Sequence, residues 1–312
     1  MLSRVGDLIY WMSRFMERAE NMARILGVTS NVVLCSTPET QQQNLLAPLT
    51  ITASTRGFFE RHEVVSLQTL IDYMALDETN PSSIYTCIRL ARDNAHAVRW
   101  QITSEMWETL NATWIELASF KRENLEGPDA TRFFDWVKER SHLFRGVTYG
   151  TIMRGEAFNF SRLGTFIERA DDTARILDVK YHILLPRVED VGGALDYYQW
   201  AALLRSVSSF ETYRIIYRDQ IRPINVAELL ILDRRMPRSL AACLEQIMQA
   251  LDRVRGQNDQ PAKRLAAELQ ARLVHGDIEE IFGGGLHEYL TDFLEDINEL
   301  GLRIQRAYLG AL

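Results

Sequence analysis

The sequence has 312 residues, of which 46% are hydrophobic and 25% are charged, and its formal net charge is −7. This balance is typical of a folded protein with a large core, built as one unit or as two modest domains. The negative charge argues against nucleic acid and anionic membranes as partners, because both call for a basic surface. The cysteines Cys35, Cys87 and Cys243 lie far apart, which excludes a multi-cysteine zinc site and favours a reducing compartment.

The N-terminal segment carries charged residues every few positions. It has neither the apolar stretch of a signal peptide nor the run of about 18 uncharged residues that a membrane span needs. We therefore expect the protein to be cytoplasmic.

Apolar residues recur at steps of three and four along most of the chain, which is the spacing of amphipathic helices. The first apolar stripe runs from Val5 to Leu26, and a second helix is predicted in SIYTCIRLARDNAHAVRWQI, just after Asn80-Pro81. Further helices are predicted, in chain order, at 104–121, 130–149, 155–185, 195–217, 225–231, 239–255, 261–273 and 286–308. Strand and hairpin patterns are essentially missing, so the sequence predicts an all-α protein, a compact multi-helix bundle.

Connections between helices are predicted at 36–47, 123–129 and 186–193. None of them is long enough or biased enough in composition to be a disordered linker. We therefore predict a single domain over 1–312, built from two related halves of about 1–145 and 146–312.

The basis for two halves is a phrase that the chain repeats. Residues 15–26 read FMERAENMARIL and residues 166–177 read FIERADDTARIL, 151 positions apart, with eight of the twelve positions identical. Helical apolar spacing alone would preserve the hydrophobic letters and leave the charged ones free to vary. Here the charged residues recur too, so the repeat calls for a chemical explanation as well as a packing one.

Helix geometry sorts the charged residues of each phrase. Each residue of a helix advances by about 100°, so Glu17, Glu20 and Arg24 share one narrow polar strip, which is repeated by Glu168, Asp171 and Arg175. The arginines directly after Glu17 and Glu168 point about 100° away from those glutamates. A buried glutamate of either phrase therefore needs an arginine from elsewhere in the chain.

Two interpretations of these strips stay open. In the structural one, the strips face each other and cross-helix Glu–Arg bridges hold the halves in register, with arginines from the opposite half or from the helix that carries Arg205 and Arg214. In the functional one, the strips line a polar pocket in which arginines hold an anionic group and a carboxylate binds an amine or moves a proton. The candidate substrate-binding residues are Arg18, Glu20, Arg24, Arg169, Asp171, Arg175, Arg205 and Arg214, and the candidate catalytic residues are Glu17, Glu168 and His287.

A carboxylate-bridged metal site would need two Glu-x-x-His motifs and two more inward glutamates. Glu139-x-x-His142 is one such motif and Asp93-x-x-His96 an imperfect second, which Glu17 and Glu168 could complete. A lone Glu-x-x-His lies more often on a surface helix, so no metal is expected. No phosphate-binding loop or dinucleotide fingerprint is present, and no cofactor is predicted.

The two ER phrases resemble the signature of the alpha-E family, a group of uncharacterised bacterial all-α proteins with an ER motif. The resemblance covers essentially the whole chain and includes SRVGDLIYWMSRFMERAENMARIL at the start, SEMWE at 104–108, SRLGTFIERADDTARILDVKY at 161–181 and GLHEYL at 285–290. One departure is Thr165, where a further basic residue is expected within the second phrase.

The resemblance implies a context for the protein. Alpha-E domains are typically fused to, or encoded beside, circularly permuted ATP-grasp ligases, often with transglutaminase-like peptidases nearby. The chain is therefore expected to be an accessory or catalytic partner of an ATP-grasp amide or peptide ligase that makes or modifies a peptide-like metabolite. One alternative is a stand-alone enzyme that acts on the ligase product through a Glu/Arg-lined pocket. A second alternative is a carboxylate-bridged metal-binding helical bundle.

Overall fold

The computed structural model describes residues 3–34, 38–120, 125–182, 193–256 and 258–310, and within these ranges the chain is helical with no strand. The predicted all-α fold is confirmed. Two single π-helical turns, Asp72–Leu76 and Gln305–Leu309, accompany the α-helices. In chain order the α-helices are α1 (Ser3–Leu34), α2 (Pro38–Ile51), α3 (Thr55–Phe59), α4 (Leu67–Ile71), α5 (Ile84–Ala97), α6 (Ser104–Leu117), α7 (Pro128–Thr151), α8 (Glu156–His182), α9 (Ala194–Ser206), α10 (Phe210–Tyr217), α11 (Pro223–Ile231), α12 (Leu240–Leu251), α13 (Gln260–Val274) and α14 (Ile278–Ile304).

The predicted connection at 36–47 is wrong, because α2 occupies most of it. Its glutamine-rich composition is typical of a polar loop, but Leu45 and Leu49 stand four residues apart and are both buried. That spacing places them on one face of a helix, where burial against the core favours the helical conformation. In the predicted connection at 123–129, residues 125–127 are non-helical and α7 begins at Pro128, while 123 and 124 lie outside the described residues. The predicted connection at 186–193 lies outside the described residues apart from its last position.

Two of the predicted helices also have different limits in the structure. The one predicted at 195–217 is divided into α9 and α10, because Ser208 has a φ of +55° that a helix cannot accommodate. The last one begins at Ile278, eight residues before its predicted start, and Gly285 interrupts it with a φ of +105°.

The two helices that carry the repeated phrase lie at the centre of the molecule. α1 packs against α8 and also against α5, α7 and α9, while α8 packs against α12 and α14 as well. Apolar side chains of α1 enter two separate hydrophobic clusters, with Met16 in one and Leu26 in the other. Because neighbours cover them on several sides, polar groups on α1 and α8 must find their partners within the protein.

α1 and α8 run in the same direction and cross at very short range. A Cβ atom added to Gly164 would lie 2.1 Å from the carbonyl oxygen of Tyr10, and the hydroxyls of Ser13 and Ser161 are hydrogen-bonded at 2.7 Å. Tyr10 and Ser13 stand 151 positions before Ser161 and Gly164. Tyr10 is thus equivalent to Ser161, and Ser13 is equivalent to Gly164. The two contacts join equivalent pairs of positions, so the two helices meet through equivalent positions. The relation of the full halves, 1–145 and 146–312, stays a prediction.

Membrane insertion through a helix is not supported by the described ranges. None of their helices combines the length with the apolar character that spanning a bilayer takes.

We expect Gly164→Ala to destabilise the protein by about 3 kcal/mol, because the added methyl would collide with the backbone of α1, which cannot move aside as a flexible side chain can. Chemical denaturation monitored by circular dichroism measures this. Gly150→Ala is the matched control, since Gly150 is helical with no atom within 4 Å of an added Cβ, and it should lose no stability. Equal stability of Gly164→Ala and wild type would contradict the close crossing.

Candidate functional site

Glu168 of the second phrase is bound by two arginines of the first helix. Arg18 donates from Nε at 2.5 Å and from Nη2 at 3.1 Å, and Arg14 donates from Nε at 2.6 Å. The Glu168 side chain is 3% exposed, so both carboxylate oxygens are satisfied by protein groups within the interior. This is the two-point guanidinium–carboxylate geometry that gives strong, directional pairing.

The reverse bridge joins Glu17 of the first phrase to the second helix. Arg169 donates to Glu17 from Nε at 2.8 Å and from Nη2 at 2.9 Å, and Arg145 of α7 adds a bond at 2.9 Å. The arginine of each ER pair therefore binds the glutamate of the other pair. The cross-helix bridges of the structural interpretation are present, and neither Arg205 nor Arg214 takes part in them.

Glu20 extends this network away from the crossing. Arg24 donates to it at 2.9 Å, Ser141 at 2.8 Å and Arg238 at 2.7 Å, while Arg145 bridges Glu20 and Glu17. We call the buried set of Glu17, Glu20, Glu168 and their arginine partners the Glu–Arg lattice. Sequence reasoning did not find three of these partners, Arg14, Arg145 and Arg238, although Arg238 belongs to the motif PRSL at 237–240.

The lattice keeps its glutamates ionised. Burial alone would raise the pKa of Glu168, but Arg18 and Arg14 outweigh it and lower that pKa to about 2. Burial opposes ionisation of Glu17 too, and its three arginine neighbours again lower the pKa below its usual value. A carboxylate that is always charged and fully hydrogen-bonded is a poor proton carrier. These contacts favour the structural interpretation for the glutamates of the ER pairs.

A polar pocket of about 200 Å³ opens beside the Arg18–Glu168 bridge. We call it the ER pocket, and it lies where α1 and α8 diverge after their crossing. It contains four of the predicted site residues, Arg18, Glu168, Asp171 and Arg175, together with side chains from more distant parts of the chain. The other lining residues are Arg14, Asn21, Met22, Ile25, Ile51, Thr52, Ala53, Ser82, Asp172 and Asn298.

Asp172 also lines this pocket, and sequence reasoning missed it. Burial raises its pKa well above the usual value, and the neighbouring carboxylates of Glu168 and Asp171 raise it further. The side-chain amide of Asn21 donates a hydrogen bond to it. A carboxyl group with a raised pKa keeps its proton to a higher pH than a free carboxyl group does, which is the direction of shift found in carboxylic general acids and bases.

The pocket also offers guanidinium groups that are partly free. Arg14, Arg18 and Arg175 face it, and when Asp172 is protonated only Glu168 and Asp171 supply negative charge. Arg175 is bound by Asp171 in the predicted i,i+4 pair, at 2.7 and 3.1 Å, yet 28% of its side chain is exposed. The arrangement can hold a carboxylate on its arginine side and an ammonium group on its aspartate side.

The remaining predicted residues do not line the ER pocket. Arg24 binds Glu20 and donates to the hydroxyl of Ser208 at 2.6 Å, and Arg169 lies in the lattice. Arg205 and Arg214 are exposed, with the Arg205 guanidinium 4.2 Å from the ring centre of Phe210.

His287 also lies away from the ER pocket. Its Nδ1 is 2.6 Å from a carboxylate oxygen of Asp178, and that hydrogen bond raises the pKa of His287. Asp178 stands ten residues beyond Glu168, or about 15 Å along α8 at 1.5 Å per residue. The histidine and the glutamates of the ER pairs therefore do not converge on one site.

The described part of the chain contains no group of three or more His, Cys, Asp or Glu side chains that could hold a metal ion. His142 lies 3.5 Å from Glu20, while His96 packs against the ring of Trp107. Glu17 and Glu168 are bound by arginines, so the four groups of the carboxylate-bridged alternative are not brought together.

Comparison with known proteins places the chain in a family. A family model described as a predicted alpha-helical domain with a conserved ER motif matches residues 1–309. Curated relatives include uncharacterized proteins of Mycobacterium tuberculosis and Mycobacterium bovis, each 23% identical over 320 residues. Each alignment covers 95% of this chain and 35% of the relative, so the chain spans about a third of the length of these relatives. No solved structure matches.

We expect Glu17→Gln and Glu168→Gln each to lower the free energy of unfolding by about 3–5 kcal/mol, because each leaves buried guanidinium groups without a counter-charge. Urea denaturation at neutral pH measures the loss. Glu268→Gln is the control, since Glu268 pairs with Arg264 on the surface and should matter by no more than about 0.5 kcal/mol. Unchanged stability in both buried variants would refute the structural interpretation.

The pH dependence of stability should have two opposite limbs. The pKa of Glu168 is depressed in the folded state, so its contribution is complete above about pH 4.5 and is lost as the pH falls towards 2. The pKa of Asp172 is raised, so its contribution is complete below about pH 4 and is lost as the pH rises through its folded pKa.

Asp172→Asn should therefore be more stable than wild type at neutral pH, with a gap that widens from about pH 4 by up to about 1.4 kcal/mol per pH unit. Both proteins should lose stability alike below pH 4.5, because both keep Glu168. Unfolding curves collected from pH 3 to pH 8 measure the gap. A gap that stays constant with pH would show that Asp172 titrates normally.

Proposed function

The chain belongs to the Alpha-E family, and on that premise we propose that it works beside an ATP-grasp amide or peptide ligase and holds a peptide-like substrate in the ER pocket. The observation that carries this proposal is the pocket itself, where a half-buried aspartate with a raised pKa stands among partly exposed arginines. This combination suits a ligand that carries both a carboxylate and an amine.

The association with a ligase is supported by the organisation of related proteins. The resemblance to the alpha-E family implies an ATP-grasp protein as a neighbour or fusion partner, with a transglutaminase-like peptidase as a further possible component of the pathway. In the mycobacterial relatives the matching segment is about a third of a longer protein, so the domain occurs there joined to additional sequence. The implied neighbour and the longer relatives both favour action next to another protein unit.

The pocket would orient such a substrate by charge. The carboxylate of the ligand would bind the exposed edges of Arg18 and Arg175, whose inner nitrogens are engaged by Glu168 and Asp171. Its amine would lie near Asp171 and Asp172. In its ionised form, Asp172 can take a proton from the ammonium group, becoming the neutral acid and leaving the nucleophilic amine that amide formation requires.

A stand-alone enzyme that acts on the ligase product is the second candidate, and the raised pKa of Asp172 favours it. A neutral aspartic acid can protonate the leaving amine when an amide bond is cleaved. The two candidates share the ER pocket and differ in the direction of the reaction and in the need for a ligase. The carboxylate-bridged metal bundle has no support from the described residues.

Binding of zwitterionic dipeptides tests the pocket. Isothermal titration with glycylglycine and L-alanyl-L-alanine should give saturable binding, and N-acetylated, C-amidated forms should not bind, because the pocket recognises both charges. Arg175→Gln should weaken binding about tenfold or more, as expected for a lost charge-assisted hydrogen bond. The control is Arg264→Gln, which removes an exposed arginine on α13 and should bind like wild type. Equal affinity for the blocked peptides would contradict the proposed recognition.

Co-elution with the neighbouring ATP-grasp protein tests the partnership. The two proteins should migrate together in size-exclusion chromatography, with or without nucleotide, and Asp172→Asn should abolish product formation without preventing co-elution. Independent migration of the two proteins, together with hydrolysis of a dipeptide by the purified chain alone, would favour the stand-alone enzyme.

A further inference from the structure

A second cavity, of about 260 Å³, flanks the other cross-helix bridge and lies between the C-terminal half of α7 and the N-terminal half of α8. We call it the α7–α8 cavity. Among the described residues no carboxylate lines it. Its polar lining is made of guanidinium and hydroxyl groups, those of Arg145, Thr148, Tyr149, Ser161, Arg162, Thr165 and Arg169.

The repeat explains why space remains here. Arg14 lines the ER pocket and reaches Glu168, and the residue 151 positions later is Thr165. Because threonine is much shorter than arginine, the second helix leaves open the volume that Arg14 fills on the first. Thr165 lines the α7–α8 cavity, so the cavity lies where the pseudo-equivalent arginine would have been.

Arg162 brings a positive charge to this cavity that no carboxylate offsets. Arg145 and Arg169 are paired with Glu17, whereas within the described chain Arg162 forms no ion pair and donates only to the side-chain carbonyl of Gln246. Burial lowers the pKa of Arg162, and the nearby charge of Arg169 lowers it further.

Aromatic rings hold this guanidinium in place. Its carbon lies 4.5 Å from the ring centre of Phe166 and 5.7 Å from that of Phe158, and both rings are buried and line the cavity. Stacking on rings restricts the arginine without neutralising it. Its interaction with an anion is therefore strengthened by the apolar surroundings and is not opposed by a protein carboxylate.

Thr148 supplies a hydroxyl without a partner on the same wall. The residue is 6% exposed, and its Oγ1 is itself buried and makes no hydrogen bond within the described residues. Helical threonines elsewhere, such as Thr113, Thr151 and Thr165, donate to the carbonyl four residues earlier. Leaving a buried hydroxyl unpaired is unfavourable, and a turn of the Thr148 side chain about χ1 would bring its Oγ1 to the cavity, where it could donate to a ligand.

We propose that the α7–α8 cavity binds the oxyanion of a small ligand, a carboxylate or a phosphate, between the guanidinium of Arg162 and the hydroxyl of Thr148. The buried rings of Phe144, Phe158 and Phe166 form an apolar wall next to this position, so the favoured ligands carry a flat or aromatic group beside the anion. This site is separate from the ER pocket, and its ligand need not be the peptide-like substrate.

The probes are inorganic phosphate, phenyl phosphate and benzoate, titrated calorimetrically at an ionic strength held constant with chloride. Saturable binding of at least one probe is expected. A preference for benzoate identifies a carboxylate ligand, and a preference for either phosphate identifies a phosphorylated one. Arg162→Gln and Thr148→Val should each weaken that binding about tenfold or more. Failure of all three probes to bind would overturn the proposal.

Thr148→Val separates binding from folding, because it replaces an unpartnered hydroxyl with a group of the same shape and should leave stability unchanged or slightly higher. The matched control is Arg132→Gln, which removes an exposed arginine from the same helix and should bind like wild type. Full affinity in both Arg162→Gln and Thr148→Val would also overturn the proposal. The dipeptides that test the ER pocket are different probes, so either site can fail without affecting the other.

Discussion

Two reciprocal arginine–glutamate bridges, buried where α1 crosses α8, determine how the rest of the molecule is arranged. Each bridge places a glutamate and an arginine in an interior where neither is tolerated alone, so both must be made together. A shift of one helix along the other by a single residue would rotate the charged groups by about 100° and break both bridges. The lattice therefore specifies the register of the helix pair.

The same constraint divides the charged residues of the two phrases by role. Groups at the crossing are saturated by partners and stay ionised, which suits them to hold the helices and not to move protons. Groups just beside the crossing are not fully engaged by protein partners. The pKa of Asp172 is raised, and Arg162 forms no ion pair within the described residues. The lattice thus gives two neighbouring cavities a rigid, charged wall, and rigid walls favour ligand recognition because little must be ordered on binding.

Much of this arrangement could be predicted from sequence, and the limits have physical causes. Recurring charges and the 100° step predicted that each glutamate needs an arginine from elsewhere, and the structure supplies Arg169 for Glu17 and Arg18 for Glu168. Arg145 and Arg238 could not be predicted, because they enter from segments more than 100 positions away, whose placement depends on tertiary packing. Asp172 was missed because the prediction rested on positions that are identical in the two phrases. Asp172 stands at the position equivalent to Asn21, so this ionisable group occurs where the two copies differ.

The parallel pairing of α1 and α8 has a consequence for how the chain is made. Glu17 and Arg169 are 152 positions apart, and Glu168 and Arg18 are 150 apart. At about 5–20 residues per second, synthesis of that interval takes roughly 8–30 s. Throughout it, the glutamate and arginine of the first phrase are already part of the chain while their cross-helix partners do not yet exist. Since such long-range contacts form late and slowly, α1 is synthesised well before α8, and its register against α8 is fixed only afterwards.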